Sequence, residues 1–194
     1  MNRRVLRVHD TPGYLLHAAP WRETSLIVQV FTHQHGIVAL VAKGAKRPHS
    51  ALRPVLSAFQ PLSLSWSGAA EVKTLTRAEC GGIHALRGRA FMSAWYMNEL
   101  LLRLLAREDP HPTLYEAYDA ALQRLSDNQS AASALRRFEW VLLNETGYGT
   151  SEALPDFDDP AYEPELRRSL RDRLNVLLQR PLQTRKVLME LQKY

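Results

Sequence analysis

The pattern of hydrophobic and polar positions changes its period near residue 80. Before that point, apolar and polar residues alternate over short segments, which is typical of β-strands with one buried face. The alternation predicts five strands, over residues 13–18, 25–32, 36–42, 59–67 and 71–77. Turn-forming residues separate the segments, and strands this short and regularly spaced predict a small barrel.

Beyond residue 82, apolar residues recur every three or four positions, which indicates amphipathic helices. Four helices are predicted, around residues 91–105, 114–125, 130–146 and 166–178. We expect Gly147 to end the third helix, and the acidic, proline-containing residues 155–164 to form a loop before the fourth. The fold class is therefore α+β, with a barrel domain over residues 1–80 and an all-α domain over residues 81–194.

Charge divides the chain at the same place. Residues 1–80 hold ten Lys and Arg against four Asp and Glu, whereas the remaining residues hold 15 against 16. The excess behind the formal net charge of +5 therefore lies in the predicted barrel. Such segregation favours a polyanion-binding module joined to a module with another task. A small barrel that is basic without binding nucleic acid fits the charge equally well.

A basic segment follows the third predicted strand. Four cations lie within eleven positions of a predicted loop, and such a loop can follow a phosphate backbone without reading a base sequence. The candidate DNA-binding residues are Arg22, Lys43, Lys46, Arg47, Arg53 and Lys73. Trp21, Phe31 and Trp66 are candidate stacking surfaces for bases, although aromatic side chains in a small barrel more often belong to its core.

Candidate catalytic and metal-binding groups lack the partners that such sites require. His33 and His35 have no third ligand nearby, and the single cysteine, Cys80, supplies neither an internal disulfide nor a multi-thiolate zinc site. Residues 43–47 lack the spacing of a phosphate-binding loop, and Ser25 has no visible base. The sequence therefore predicts a protein that is not an enzyme and holds no cofactor or metal. Without a leader or a long apolar run, it is expected in the cytoplasm, away from membranes.

Several motifs, in this order along the chain, resemble those of the RecO family of bacterial recombination mediators. In the first half they are residues 20–26 (PWRETSL), 30–32 (VFT), 40–47 (LVAKGAKR), 52–53 (LR), 59–62 (FQPL) and 71–75 (EVKTL), with Gly36 and Gly68. In the second half they are residues 96–101 (YMNELL), 135–139 (LRRFE), 147–149 (GYG) and 181–185 (PLQTR). Two features depart from the family. The four-cysteine zinc site of some relatives has no counterpart here, and the stretch between Gly149 and Glu165 is shorter than usual.

The resemblance implies an N-terminal OB-fold followed by an α-helical domain. It implies a mediator that binds single- and double-stranded DNA, anneals complementary strands and consumes no ATP. It further implies that the protein works with RecR and single-stranded DNA-binding protein to place RecA on coated DNA, so that it is associated with the nucleoid. Two alternatives remain open: an adaptor for RecR and single-stranded DNA-binding protein with little DNA binding of its own, and an RNA-binding OB protein.

The family also binds the acidic, apolar-ended tail of single-stranded DNA-binding protein through its helical domain. By this resemblance, the candidate tail-binding residues are Arg136, Arg137 and Phe138. Because Phe138 belongs to the apolar face of its helix, at least one of the two arginines is expected at the rim of that face, where it could pair with a carboxylate. The alternative is an exposed arginine that makes only a weak local ion pair, for example with Glu139.

Overall fold

The computed structural model describes residues 6–149, 154–178, 180, 182–184 and 187. The chain forms two compact units. The first comprises residues 1–84 with 106–110, and the second comprises residues 85–105 with 111–194. Two residues of the family-like C-terminal motif, Pro181 and Arg185, lie outside the described residues.

Five strands form the first unit: β1 (Leu6–Trp21), β2 (Ser25–Thr32), β3 (Gly36–Ala42), β4 (Pro61–Gly68) and β5 (Val72–Cys80). They close into a barrel in the order β1-β2-β3-β5-β4. Neighbouring strands are antiparallel except for β3 and β5, which pair in parallel. A five-stranded Greek-key barrel is the architecture of the OB-fold. The fold class expected from the sequence, an OB-fold followed by helices, is confirmed.

Strand β1 is much longer than the predicted segment 13–18, because it pairs with two neighbours. Its first part pairs with β4 and its second part with β2. The register shifts between Val8 and Thr11 and again between Leu15 and His17. Such bulges bend a strand strongly, which lets one strand serve both sides of a small barrel. The two ends of β1 are mostly exposed and contain Asp10, Pro12 and Pro20, so only its buried middle showed the signal of a strand.

The barrel interior is filled by side chains that alternate along the strands, among them Val28, Val30, Val38, Leu40, Leu64 and Trp66. One further segment, residues 106–110, belongs to this unit although it lies between two helices in the sequence. The backbone N–H of Glu108 donates to the carbonyl of Ile37 at 3.0 Å, and Ile37 also forms a parallel bridge with Arg107. The first unit is therefore discontinuous in sequence.

The second unit contains α2 (Arg89–Leu104), α3 (Pro112–Ser126), α4 (Ala131–Glu145) and α5 (Glu163–Leu177), and a short helix, α1 (Leu52–Val55), lies in the barrel unit. The four long helices match the four predicted ones, whereas α1 was not predicted. Gly147 has φ +81°, and the next N–H, of Tyr148, bonds to the Leu143 carbonyl at 2.8 Å, which confirms the predicted end of α4. Among the described residues, no helix combines the length and the apolar character needed to cross a membrane.

Candidate nucleic-acid interface

Two connections of the barrel lie side by side. The β1–β2 connection covers residues 22–24, and the β3–β4 connection begins at Lys43. The backbone N–H of Lys46 donates to the Thr24 carbonyl at 2.9 Å, and the N–H of Gly44 donates to Ser25 Oγ at 3.3 Å. Arg22, on the first connection, is therefore brought next to the cations of the second.

The start of the β3–β4 connection, residues 43–47, is called the basic loop below. Two turn hydrogen bonds hold it, from Ala45 N–H to the Ala42 carbonyl at 3.4 Å and from Arg47 N–H to the Gly44 carbonyl at 3.0 Å. The side chain of Ala45 is buried in the barrel core, while the loop's cations, Lys43, Lys46 and Arg47, are exposed. The loop is thus anchored by its small apolar residue and turns its charges to solvent.

Residues 24–70, which include the basic loop and Arg53, contain neither Asp nor Glu, whereas Glu23 lies beside Arg22 on the first connection. Within the described part of the protein, no ion pair with a carboxylate involves the loop cations or Arg53, which is exposed on α1. Unneutralised cations on one edge of a barrel create a positive potential that attracts polyanions. The three loop cations, Arg22 and Arg53 are all exposed, so five of the six predicted DNA-binding residues lie on the surface.

Lys73, the sixth, departs from the prediction. Its side chain is only 7% exposed and forms an ion pair with Glu108, in the segment 106–110 that belongs to the barrel unit. A buried ammonium group requires such a partner, because desolvation without one is very unfavourable. Lys73 belongs to the packing of the barrel and is not available to a phosphate.

One of the three aromatic candidates remains accessible. Trp21 is 43% exposed, and the guanidinium carbon of Arg22 lies 5.9 Å from its ring centroid. A base can stack on such a ring, and the adjacent cation strengthens the contact. Phe31 and Trp66 are at most 1% exposed, so they are interior residues, which is the more common role of aromatic side chains in a small barrel, and they cannot stack on bases. Trp66 belongs to the barrel core, and its ring meets the His35 ring edge-on with 5.2 Å between centroids.

In the helical unit, two of the three predicted tail-binding residues are buried. Phe138 is fully enclosed, and Arg136 pairs with Glu139, with Nη2 and Oε1 2.8 Å apart. Tyr96 donates to the same carboxylate at 2.7 Å. Burial raises the pKa of Glu139, and the charge of Arg136 and the hydrogen bond from Tyr96 oppose that rise. Arg136 and Phe138 therefore hold the helices together and cannot receive a partner, contrary to the expectation.

Arg137 remains at the surface, as expected for one of the two arginines. Its Nη2 donates to Asp158 Oδ2 at 2.5 Å, and its guanidinium carbon lies 4.9 Å from the centroid of the Phe157 ring. Phe157 and Asp158 were assigned only to a loop from the sequence. The signal that could have found Asp158 is charge, since an acidic segment lies in the same half of the chain as Arg136 and Arg137.

In the part of the chain that the structure describes, no group of three or more histidine, cysteine and carboxylate side chains could hold a metal ion. Cys80 is exposed, and its Sγ lies 3.0 Å from the Gly82 carbonyl oxygen.

The fold and the site together define an OB-fold protein with a basic loop on the barrel and a helical unit after it. The family described as "Recombination protein O N terminal" matches residues 6–83, and "Recombination protein O C terminal" matches residues 86–153. The chain belongs to this recombination protein O family.

Similar curated proteins carry the name DNA repair protein RecO. That of Cupriavidus pinatubonensis is 55% identical over 172 residues, which cover 84% of this chain and 59% of the relative. That of Ralstonia nicotianae is 53% identical over 174 residues, covering 84% and 64%. That of Aromatoleum aromaticum is 59% identical over 144 residues, covering 74% and 60%. The chain therefore spans less than two thirds of the length of these relatives.

Proposed function

We propose that this protein is a non-catalytic mediator of DNA repair by recombination. The barrel binds single- and double-stranded DNA and anneals complementary strands, and the helical unit binds the acidic tail of single-stranded DNA-binding protein. Together with RecR, it helps to load RecA on coated DNA. The observation that carries the DNA-binding part is the backbone hydrogen bond from Lys46 to Thr24, which holds the connection that contains Arg22 beside the basic loop.

Annealing requires two strands to approach while their mutual repulsion is lowered. The DNA-binding residues that we retain are Arg22, Lys43, Lys46, Arg47 and Arg53. Neutralising phosphates releases condensed counterions, so binding is independent of base sequence and falls steeply with salt. Trp21 adds a stacking surface that accepts any base. No step of this mechanism forms or breaks a covalent bond, so it requires no catalytic side chain.

Reversing the charges of the basic loop tests this proposal. In the variant Lys43→Glu/Lys46→Glu/Arg47→Glu, we expect the single-strand affinity at about 0.15 M salt to fall at least about tenfold. The slope of log K against log salt should decrease by about 2, since each lost phosphate contact accounts for about 0.7. Fluorescence anisotropy with a labelled oligonucleotide measures both quantities.

The matched control reverses three exposed arginines of α5, Arg167, Arg168 and Arg171, which changes the net charge equally. This control should retain most of the affinity. An unchanged affinity and salt slope in the loop variant would contradict the proposal. Absence of annealing by the wild-type protein alone would favour the adaptor alternative, and a preference for RNA would favour the RNA-binding alternative.

Tail binding is proposed for the surface around Arg137. A guanidinium group pairs with carboxylates through parallel hydrogen bonds, and neighbouring aromatic groups can receive the apolar end of the tail. We expect Arg137→Ala to lose binding of a fluorescent peptide with the tail sequence of a bacterial single-stranded DNA-binding protein. The matched control is Arg168→Ala, on the exposed side of α5. Equal binding by both variants and the wild type would contradict this assignment.

A further inference from the structure

An irregular segment, residues 154–162, precedes α5 and is called the acidic strap below. It carries three aspartates, Asp156, Asp158 and Asp159, around one phenylalanine, Phe157. The strap forms no strand or helix, and its end is held to the start of α5 by a backbone hydrogen bond from Glu163 N–H to the Asp159 carbonyl at 3.2 Å.

The aromatic residue of the strap is docked against α4. Phe157 is only 5% exposed, and its ring meets the Trp140 ring edge-on with 6.2 Å between centroids. The guanidinium carbon of Arg137 lies 4.9 Å from the Phe157 centroid, which is a cation–π distance. Trp140 and Arg137 therefore form a receptor for an aromatic side chain.

The neighbouring carboxylate binds the same arginine. Asp158 accepts hydrogen bonds from Ser133 Oγ and from Arg137 Nη2, the latter at 2.5 Å, and Arg124 Nη1 lies 3.8 Å away. The hydrogen bond from Ser133 and the one from Arg137 lower the pKa of Asp158, so it is charged at neutral pH. A carboxylate beside an apolar ring is also the chemistry of an acidic, apolar-ended peptide.

The strap fits this surface incompletely. Arg137 Nε is buried and has no hydrogen-bond partner among the described atoms. The Asp158 side chain is 55% exposed, so water competes for its oxygens. A carboxylate that approached both nitrogens of the guanidinium edge would satisfy Arg137 better than the strap does. The contact between Asp158 and Arg137 is therefore chemically specific, but another carboxylate can replace Asp158.

We propose that the acidic strap is a tethered competitor, which occupies in cis the Arg137 surface that an acidic tail occupies in trans. The inference rests on the tail binding put forward under the proposed function and adds its regulation. A tethered segment acts at a high effective concentration, so it lowers the apparent affinity for a free peptide. The tail binds only to molecules whose strap has left Arg137. The apparent dissociation constant for the tail is therefore the intrinsic dissociation constant divided by the fraction of molecules in that state.

Weakening the strap should therefore strengthen binding in trans. The two test variants are Asp158→Asn, which removes the charge, and Phe157→Ala, which removes the ring without changing any charge. The probe is the fluorescent tail peptide, titrated against the full chain by anisotropy. We expect both variants to bind it at least about threefold more tightly than the wild type does.

The matched control is Asp172→Asn on the exposed side of α5, which removes one negative charge far along the chain from the strap. It should bind the peptide like the wild type. Tighter binding by Asp158→Asn alone, or equally by Asp172→Asn, would mean general electrostatic attraction and overturn the strap proposal.

The remaining outcomes separate this inference from the proposed function. If the wild type binds the peptide and both strap variants bind it equally or more weakly, the strap is no competitor while tail binding stands. If no folded variant binds the peptide, tail binding and the strap proposal both fail. If only the strap variants bind, both are supported, because the strap then masks the site in the wild type. Circular dichroism of each variant establishes that it is folded.

Discussion

A single residue, Gly36, decides whether residues 106–110 can pack closely on the barrel. Gly36 lies after the β2–β3 turn with φ +62°, and a Cβ there would lie 2.1 Å from the carbonyl oxygen of Asp109. Gly44, in the basic loop, has a similar φ of +70°, but a Cβ there would meet only Arg47 side-chain atoms at 3.6 Å or more. The two glycines share the left-handed backbone and differ in the space around them.

Gly36→Ala should therefore destabilise the protein more than Gly44→Ala does. The left-handed conformation costs about 1 kcal/mol in either variant, and the collision with Asp109 raises the total for Gly36→Ala to about 3 kcal/mol. Urea unfolding at pH 7 measures both free energies. Equal losses in the two variants would mean that residues 106–110 do not pack closely on the barrel in solution.

Charged residues illustrate what the sequence could and could not predict at this scale. Residue type identified Lys46 and Lys73 equally well as cations of the barrel. Only the fold separates them: Lys46 follows a turn anchored by Ala45, whereas Lys73 faces Glu108 from another part of the chain. The burial and orientation of a side chain depend on contacts between residues that are distant in sequence, and a local sequence pattern does not contain those contacts.

Secondary-structure elements were predicted best where turn-forming residues bound a short apolar segment. Strands β2 and β3 have the predicted bounds, because each is such a segment and is rich in Val and Ile. The ends of β1 were missed because they are mostly exposed and contain prolines, and α1 is too short to show a helical period. Contacts between elements were not predictable. One of them joins α2 to residues 183 and 184 through Glu99.

Glu99 fastens that C-terminal segment by three hydrogen bonds. Its carboxylate accepts the N–H of Gln183 at 2.7 Å, and the N–H and hydroxyl of Thr184 at 2.9 and 2.8 Å. Burial alone would raise the pKa of Glu99, but the hydrogen bonds from Thr184 and Gln183 hold it below its usual value. The carboxylate form is thus favoured by folding.

Glu99→Gln should lower the free energy of unfolding at pH 7 by about 1–2 kcal/mol, because an amide cannot replace all three charge-assisted bonds. Since the folded pKa is depressed, this contribution is present above the ordinary glutamate pKa and disappears as pH falls through the folded value. Urea unfolding of both proteins at several pH values checks this, with the exposed Glu23→Gln as control. A difference that stays constant down to pH 2 would exclude ionised Glu99 as its source.

At the scale of the whole molecule, the two candidate surfaces lie in different compact units. The basic loop lies in the first unit and Arg137 in the second. The change of hydrophobic period and of charge near residue 80 indicated two modules, because strands and helices each impose their own period on the local sequence. It contained no sign that residues 106–110 join the barrel unit, because that depends on a long-range contact.

If the two surfaces act independently, the acidic tail and DNA should bind at the same time. We expect a saturating tail peptide to change the single-strand dissociation constant of the wild type by less than about twofold, which corresponds to a negligible coupling free energy. Anisotropy of a labelled oligonucleotide measures this, with a peptide carrying Asn in place of Asp as the control. The tail is itself a polyanion, so competition for the basic loop is the outcome to be tested. Displacement of DNA that persists in Arg137→Ala would locate the peptide on the loop, and displacement lost in Arg137→Ala would mean that the two units are coupled.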